Sequence, residues 1–214
     1  MRRIEVKAKQ GFGQPGAAFL KKEIEEVLGH KIDAIYITKA YNIDGELSDE
    51  EMEMLGRELF ADRVSEEYSW KEPAYGAAWR IEVGFLPGMT DNVGNTAKIA
   101  IADMLGKELD VYFSRVYYIR GQIEDPYALD KVADALLANK LIERWEIFEP
   151  SDRSFSPFSA KVSLDREPVV QKINLDVEDR HLEKLSRERL LALSLEEMRA
   201  IKEYYKRTRV LEKS

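Results

Sequence analysis

The tetrapeptide Arg3-Ile4-Glu5-Val6 returns as Arg80-Ile81-Glu82-Val83, 77 positions further on, and the offset then holds without a gap. It pairs Gly11 with Gly88, Lys21 with Lys98, Ile24 with Ile101, Leu28-Gly29 with Leu105-Gly106 and Asp33 with Asp110. Further along it pairs Tyr41 with Tyr118, Leu59 with Leu136, Ala61 with Ala138 and Glu66 with Glu143. That makes 14 identities over the 68 pairs from residue 3 to residue 70, where unrelated chains of ordinary composition match at about four. A fixed period constrains the fold more than any local motif, because each copy must adopt the same supersecondary unit.

Each copy reads alike. An alternating strand (4–9; 81–86) leads through a glycine-containing loop into an amphipathic helix that ends at Leu28-Gly29 or Leu105-Gly106. A second strand rich in Tyr, Ile and Val follows (34–43; 111–120) and closes on Asp44-Gly45 or Arg120-Gly121, which predicts a hairpin. A second helix (49–63; 125–137) then reaches a short last strand near 68–70 or 144–148. The unit is therefore β-α-β-β-α-β, α+β in class, with two helices covering one face of a small sheet.

One such unit is marginal by itself, since a domain of about 60 residues buries only about 60% of its unfolded surface. The two copies, 1–75 and 76–150, are expected to pack as a pseudo-dimer tied by the linker Lys71-Glu72-Pro73-Ala74-Tyr75-Gly76-Ala77. Ile4, Val6, Ile35 and Ile37 then share a core or interface with Ile81, Val83, Val111 and Phe113.

Residues 151–214 form a third segment, a linker with C-terminal helices. It opens on a Ser/Pro loop with two aromatics expected to be exposed, Phe155 and Phe158, and continues through 162–175, which suits short extended pieces. From Asp176 the pattern is helical. Ser194-Leu195-Glu196-Glu197 is a capping box that predicts a helix over 195–207. The apolar residues between 176 and 205, Leu182, Leu185, Leu190, Leu193, Leu195, Met198, Ile201 and Tyr205, exceed what one short helix hides, so part of this segment is expected to be exposed.

Composition narrows the chemistry. A net charge of −7, from 33 basic and 40 acidic side chains, advertises no basic face and argues against nucleic acid as a partner. The chain has no cysteine, which removes disulfides, thiolate metal sites and thiol nucleophiles together. His30 and His181 are the only imidazoles, a poor supply for a metal centre or a Ser-His-Asp triad. The N-terminus alternates apolar and charged residues, and no apolar run approaches the roughly 18 residues of a membrane span. A cytoplasmic protein without a membrane partner is expected.

Two loops stand out. Gly11-Phe12-Gly13-Gln14-Pro15-Gly16 has the spacing of a pyrophosphate-binding loop between a strand and a helix. Its second strand, however, runs toward a hairpin instead of a crossover helix, and the other copy lacks the spacing, so a turn and helix cap is the preferred reading. In Leu86–Thr96, Pro87-Gly88 supplies a tight turn, and Thr90, Asp91, Asn95 and Thr96 can cap a helix start. Pro87, Gly88, Thr90, Asp91, Asn92 and Gly94 are the candidate interface or anion-contacting residues. No catalytic, cofactor or metal residue is assigned in this chain.

Residues 78–148, with Arg-Ile-Glu-Val-Gly-Phe-Leu-Pro-Gly-Met-Thr-Asp-Asn-Val-Gly at 80–94 and Ala135-Leu136-Leu137-Ala138-Asn139-Lys140-Leu141-Ile142-Glu143, resemble the small PurS-like subunit of phosphoribosylformylglycinamidine synthase. Residues 3–70 look like a more diverged copy, which keeps Gly11 and Gly16, lacks the loop Asp, and has Phe60-Ala61-Asp62 where the family has Leu-Ala-Asn. Residues 176–206, above all Leu185–Ile201, resemble the helical linker before the catalytic domain in the large form of that synthase. The large form carries a tandem domain that mimics a small-subunit dimer.

The resemblance implies ATP-dependent transfer of glutamine-derived ammonia to formylglycinamide ribonucleotide, in purine biosynthesis. ATP and Mg are implied for the catalytic partner domain, not for this chain. The implied partners are the synthase catalytic domain or subunit and the glutaminase domain or subunit. The family's Trp-Ser-Glu-His-Cys-like string is absent from these residues, so the chain alone is expected to be inactive, an adaptor that docks glutaminase to ligase and helps enclose the ammonia path. The alternatives are a stand-alone interaction scaffold and a nucleotide-binding protein that uses Gly11–Gly16.

Overall fold

Alternation of apolar side chains marks six strands in a computed structural model that describes residues 1–14, 16–76, 78–123, 125–152, 158–161 and 173–208. They are β1 (Arg2–Ala8), β2 (Ala34–Asp44), β3 (Glu66–Ser69), β4 (Trp79–Phe85), β5 (Asp110–Arg120) and β6 (Glu143–Phe148). Between them run α1 (Ala17–Leu28), α2 (Asp49–Met54), α3 (Asn92–Leu105) and α4 (Tyr127–Val132). Both α2 and α4 continue into a π-helical turn, Leu55–Phe60 and Ala133–Leu137. The strands form one antiparallel sheet in the order β3-β1-β2-β5-β4-β6, so the fold is α+β. The chain divides into two units, Met1–Ser163, which holds the sheet, and Leu164–Ser214.

Local chemistry sets the helix ends. At α2, the Ser48 hydroxyl accepts from Glu51 N–H (3.2 Å) while the Glu51 carboxylate accepts from Ser48 N–H (2.8 Å), a reciprocal cap. Gly29 and Gly106 end α1 and α3 in the left-handed conformation, with φ of 74° and 66°, which L side chains resist.

The expected β-α-β-β-α-β unit needs correction, because the structure has β-α-β-α-β in each half and no hairpin at Gly45 or Gly121. β2 and β5 are single strands that lead straight into α2 and α4. The two glycines serve close approach instead. A Cβ on Gly45 would lie 2.4 Å from Leu109 Cδ2, and one on Gly121 would lie 3.1 Å from Ile32 Cα. In each case a residue from the other half passes over the glycine, and a turn signal in the sequence is the imprint of that contact.

Between sheet and helices the core forms two clusters, each mixing the halves, and a third, of Ala40, Ala74, Ala78, Val116 and Tyr118, lies on the opposite face. Ile24, Ile32 and Ile35 pack with Ile81, Val83, Ile119, Leu129, Val132 and Leu137, and Ile37 packs against this cluster. Ile4, Val6, Ile43, Met52, Leu55 and Phe60 pack with Ala97, Ile101 and Val111. The apolar residues expected to meet do so: Ile35 and Ile37 with Ile81 and Val83, and Ile4 and Val6 with Val111. Phe113 places its ring 5.5 Å from that of Tyr41. Thus α1 of the first half fills the core of the second, and α3 of the second fills the core of the first.

The C-terminal unit contains α5 (Asp179–Glu188) and α6 (Leu195–Thr208). Ser194 and Glu197 make the expected capping box, with Glu197 Oε2 accepting from Ser194 N–H at 2.7 Å. Leu182 and Met198 are buried, whereas Leu190 is 89% exposed at the turn between the helices. Ser186 closes that turn by bonding both the carbonyl and the N–H of Leu193. Phe158 corrects an expectation, because it is 3% exposed; Phe155, the extended pieces expected over 162–172 and the end from 209 lie outside the described residues. No helix among the described residues is long and apolar enough to cross a membrane.

The mixed core has a measurable consequence. Ile101→Ala on α3 removes a fully buried side chain and should cost about 2–5 kcal/mol. Because Ile101 packs on the first half, hydrogen exchange should rise in β1 and α2 as well as in α3. Faster exchange confined to residues 92–120 would contradict the crossing.

Candidate functional site

The loop singled out in the sequence is built around Asp91. Met89 N–H bonds the Leu86 carbonyl at 3.1 Å to close the Pro87-Gly88 turn, with Gly88 at φ 85°. Asp91 then caps α3: Oδ1 accepts from Gly94 N–H at 2.7 Å, and Oδ2 accepts from Phe113 N–H on β5 at 2.6 Å. Gly94 faces β5 so closely that a Cβ would stand 2.4 Å from the Val111 carbonyl oxygen. Of the six candidate residues, Asp91 and Gly94 are buried, while Pro87, Gly88, Thr90 and Asn92 are exposed. The helix start therefore carries its own negative charge, and the capping role predicted for Asp91 is what the geometry builds.

The matching loop holds a residue that sequence reasoning passed over. Gln14, 77 positions before Asp91, donates to the Ile37 carbonyl at 2.7 Å and accepts from Ile37 N–H at 2.8 Å. The reason is geometric. β1 pairs with β2 from Ile43 only to Lys39, and β4 pairs with β5 from Ile119 only to Ser114. Ile37 and Phe113 lie just past those ends, where buried backbone groups need partners, and Gln14 and Asp91 supply them. The offset itself was the available signal. The Gly11–Gly16 loop leads into α1 over an antiparallel sheet, so it lacks the parallel strand–helix–strand frame in which such a loop cradles pyrophosphate.

On the helix side, an apolar groove of about 380 Å³ runs between Tyr41, Leu59 and Phe60 and the α3 face of Val93, Ala97 and Ala100, with Asn92 and Thr96 also lining it. Tyr41 and Phe60 stack at 4.1 Å. Lys39 and Arg115 are direct cross-strand partners, two cations side by side that like-charge repulsion disfavours. Glu66 pairs with Lys39 at 2.7 Å and Glu143 with Arg115 at 2.6 Å. The same carboxylates accept from Asp62 N–H (3.1 Å) and Asn139 N–H (2.8 Å). This double duty accounts for the repeated Glu and for the Asp62 and Asn139 turns.

The opposite face of the sheet buries the charged half of the repeated tetrapeptide. Arg3, Glu5, Arg80 and Glu82 are all at most 5% exposed. Arg3 donates to Glu82 at 2.6 Å and to Asn42 Oδ1 at 3.0 Å. Ser114 donates to Glu82 at 2.5 Å; Thr38 (2.5 Å) and Tyr118 (2.6 Å) donate to Glu5. Burial pulls the Arg3 guanidinium down, but Glu82 and Glu5 outweigh it and hold it above its ordinary value. Burial, with Glu5 beside it, pushes the Tyr118 phenol up, so it stays a hydrogen-bond donor at neutral pH. Each carboxylate has an oxygen saturated by two donors. Such a network fixes structure.

No protein-family model matches the chain, and no curated protein does so at a significant level.

Asp91→Ala strips partners from the N–H groups of Gly94 and Phe113 and should cost about 2–4 kcal/mol, a lost cap plus a buried unsatisfied donor. Denaturant titration measures it, and a loss under 1 kcal/mol (about the value of a cap alone) would show that the Phe113 contact contributes nothing. Arg3→Met leaves two buried carboxylates without their cation and should cost about 3–5 kcal/mol. Adding Glu82→Gln should recover part of that loss, whereas additive losses would mean that the pair is uncoupled.

Proposed function

We propose that this chain is the non-catalytic adaptor part of a phosphoribosylformylglycinamidine synthase, made of two tandem PurS-like repeats that pack as a pseudo-dimer and are followed by a helical linker. In this reading it docks glutaminase to the ATP-dependent ligase of purine biosynthesis and helps enclose the path of ammonia between them. Its setting is the cytoplasm, and ATP and Mg belong to the catalytic partner.

The observation that carries the reading is the seam between β2 and β5. Two 11-residue strands pair antiparallel along their whole length, from Ala34 opposite Arg120 to Asp44 opposite Asp110. The pairing is centred on Lys39 and Arg115, and it joins β3-β1-β2 to β5-β4-β6. A single chain that stands in for a dimer of one small subunit needs such a seam, with equivalent strands meeting about a twofold axis. The equivalent duties of Gln14 and Asp91, and of Glu66 and Glu143, support the same reading. So does the Leu137-Ala138-Asn139 turn, where Asn139 Oδ1 accepts from Leu141 N–H at 3.2 Å.

Reconstitution tests it. The purified chain, mixed with the ligase and glutaminase of such a synthase, should co-sediment with both and couple glutamine hydrolysis to ATP-dependent amidation. Alone, it should turn over neither glutamine nor ATP. Failure to bind either enzyme would sink the adaptor reading, as would turnover by the chain alone that a point mutation within it abolishes.

A further inference from the structure

We propose that residues 158–161 are a clasp on the polar face of the sheet, seated by Phe158 in a notch at Gly84, and that opening it admits water to Glu82 while Glu5 stays covered. The proposal is independent of the adaptor reading. Gly84 lies on the face of β4 that also carries Arg80 and Glu82, and its register partners are Ser114 on β5 and Arg144 on β6. A Cβ at this position would stand 2.4 Å from the Phe158 ring, so the missing side chain is the seat. Arg144 lays its guanidinium over the same ring, 4.5 Å from the centroid, and donates to the Ser159 carbonyl at 2.9 Å. Lys161 pairs with Asp44 at 3.0 Å at the far end of the clasp. Next to the seat lies the 2.5 Å hydrogen bond from Ser114 to Glu82.

The two ends of the network are closed differently. The residue 77 positions before Gly84 is Lys7, whose ammonium donates to the Ala74 carbonyl at 2.9 Å and stands 4.8 Å from the Tyr75 ring centroid. Ala74 N–H in turn donates to the Tyr118 hydroxyl at 3.2 Å, and Tyr118 donates to Glu5. Main chain bonded into the network therefore closes the Glu5 end. At the Glu82 end the cover is a phenyl ring, which can make no hydrogen bond to what it covers. Its outer fastening, Lys161 to Asp44, is an ion pair with side chains 64% and 31% exposed, and exposed pairs hold weakly. The cover at the Glu5 end is bonded into the network and the cover at the Glu82 end is not, so the sheet has one fixed closure and one releasable closure.

Carbodiimide-driven amidation of the full chain, read by mass spectrometry at Glu5 and Glu82, tests the clasp. In the parent both carboxylates should be protected. In Phe158→Ala, Glu82 should react at least tenfold faster with Glu5 unchanged. Gly84→Ala, which fills the seat from the strand side, should behave like Phe158→Ala, and Phe158→Leu should restore most of the protection. Equal reactivity of Glu82 in Phe158→Ala and parent would overturn the clasp. A parallel rise at Glu5 and Glu82 would overturn it too, because that pattern reports loosening of the whole sheet.

Discussion

The pairing of β2 with β5 is the contact from which the rest of the sheet-bearing unit follows. Both strands are 11 residues long, against seven for β1 and β4. Each long strand therefore has one stretch flanked on both sides and another that overhangs its own half's first strand. The overhang carries Ile35 and Ile37 in β2, and Val111 and Phe113 in β5, away from their own half and toward the other. That is why Ile35 shares a core with Ile81 and Val83, and Val111 with Ile4 and Val6. Loss of the seam would expose both clusters at once, and neither half retains a complete core without the other.

The pattern of apolar residues foretold the shared cores but not the strand pairing that makes them, because apolar positions report which residues face inward. Helix ends were equally legible. Gly29 and Gly106 stop their helices in the left-handed region, and Ser48 and Ser194 start theirs by reciprocal caps, chemistry that involves near neighbours only. What failed were contacts with partners distant in the chain that the apolar pattern does not reveal. Gly45 and Gly121 read as turns because nothing local distinguishes a turn glycine from one that lets Leu109 or Ile32 pass. Gln14 went unread because its partner, Ile37, lies across a helix in the chain. In the candidate loop, Asp91 was legible as a cap but not as the partner of Phe113, for the same reason.

The charged positions of the tetrapeptide are instructive in another way. Alternating apolar and charged residues predicts a strand with one wet face, and Arg3 and Glu5 are instead buried. Had those positions faced water, nothing in the packing would have required that the Arg and the Glu recur along with the Ile and the Val. Their repetition was the visible trace of a dry polar layer, whose other members, Thr38, Asn42, Ser114 and Tyr118, sit on the long strands. A strand that slips by one residue turns every side chain to the other face. Here a slip of β1 or β4 would drive Arg3 or Glu82 into the apolar clusters, so the network guards register more than it adds stability.

The same layer shows how the two halves differ. The ladders shift the equivalence by one residue in β2 and β5, which corrects the gapless pairing of Tyr41 with Tyr118: Asn42 and Tyr118, 76 residues apart, occupy equivalent places opposite Arg3 and Arg80, yet they do different work. Asn42 accepts from Arg3 and donates to Ser114 (3.1 Å), while Tyr118 donates to Glu5 and accepts from Ala74 N–H. A symmetric pair of identical halves would place two Asn or two Tyr here. Two Asn would leave Glu5 without the Tyr118 hydroxyl and Ala74 without its acceptor; two Tyr would deprive Arg3 of the Asn42 carbonyl. With the two positions different, Arg3 reaches across to Glu82 instead of serving only its own half, and one oxygen of each carboxylate finds two donors. The seam is close to symmetric in its backbone and asymmetric in its charges, and the asymmetry is what allows four ionisable side chains to be buried in one sheet face without an uncompensated charge.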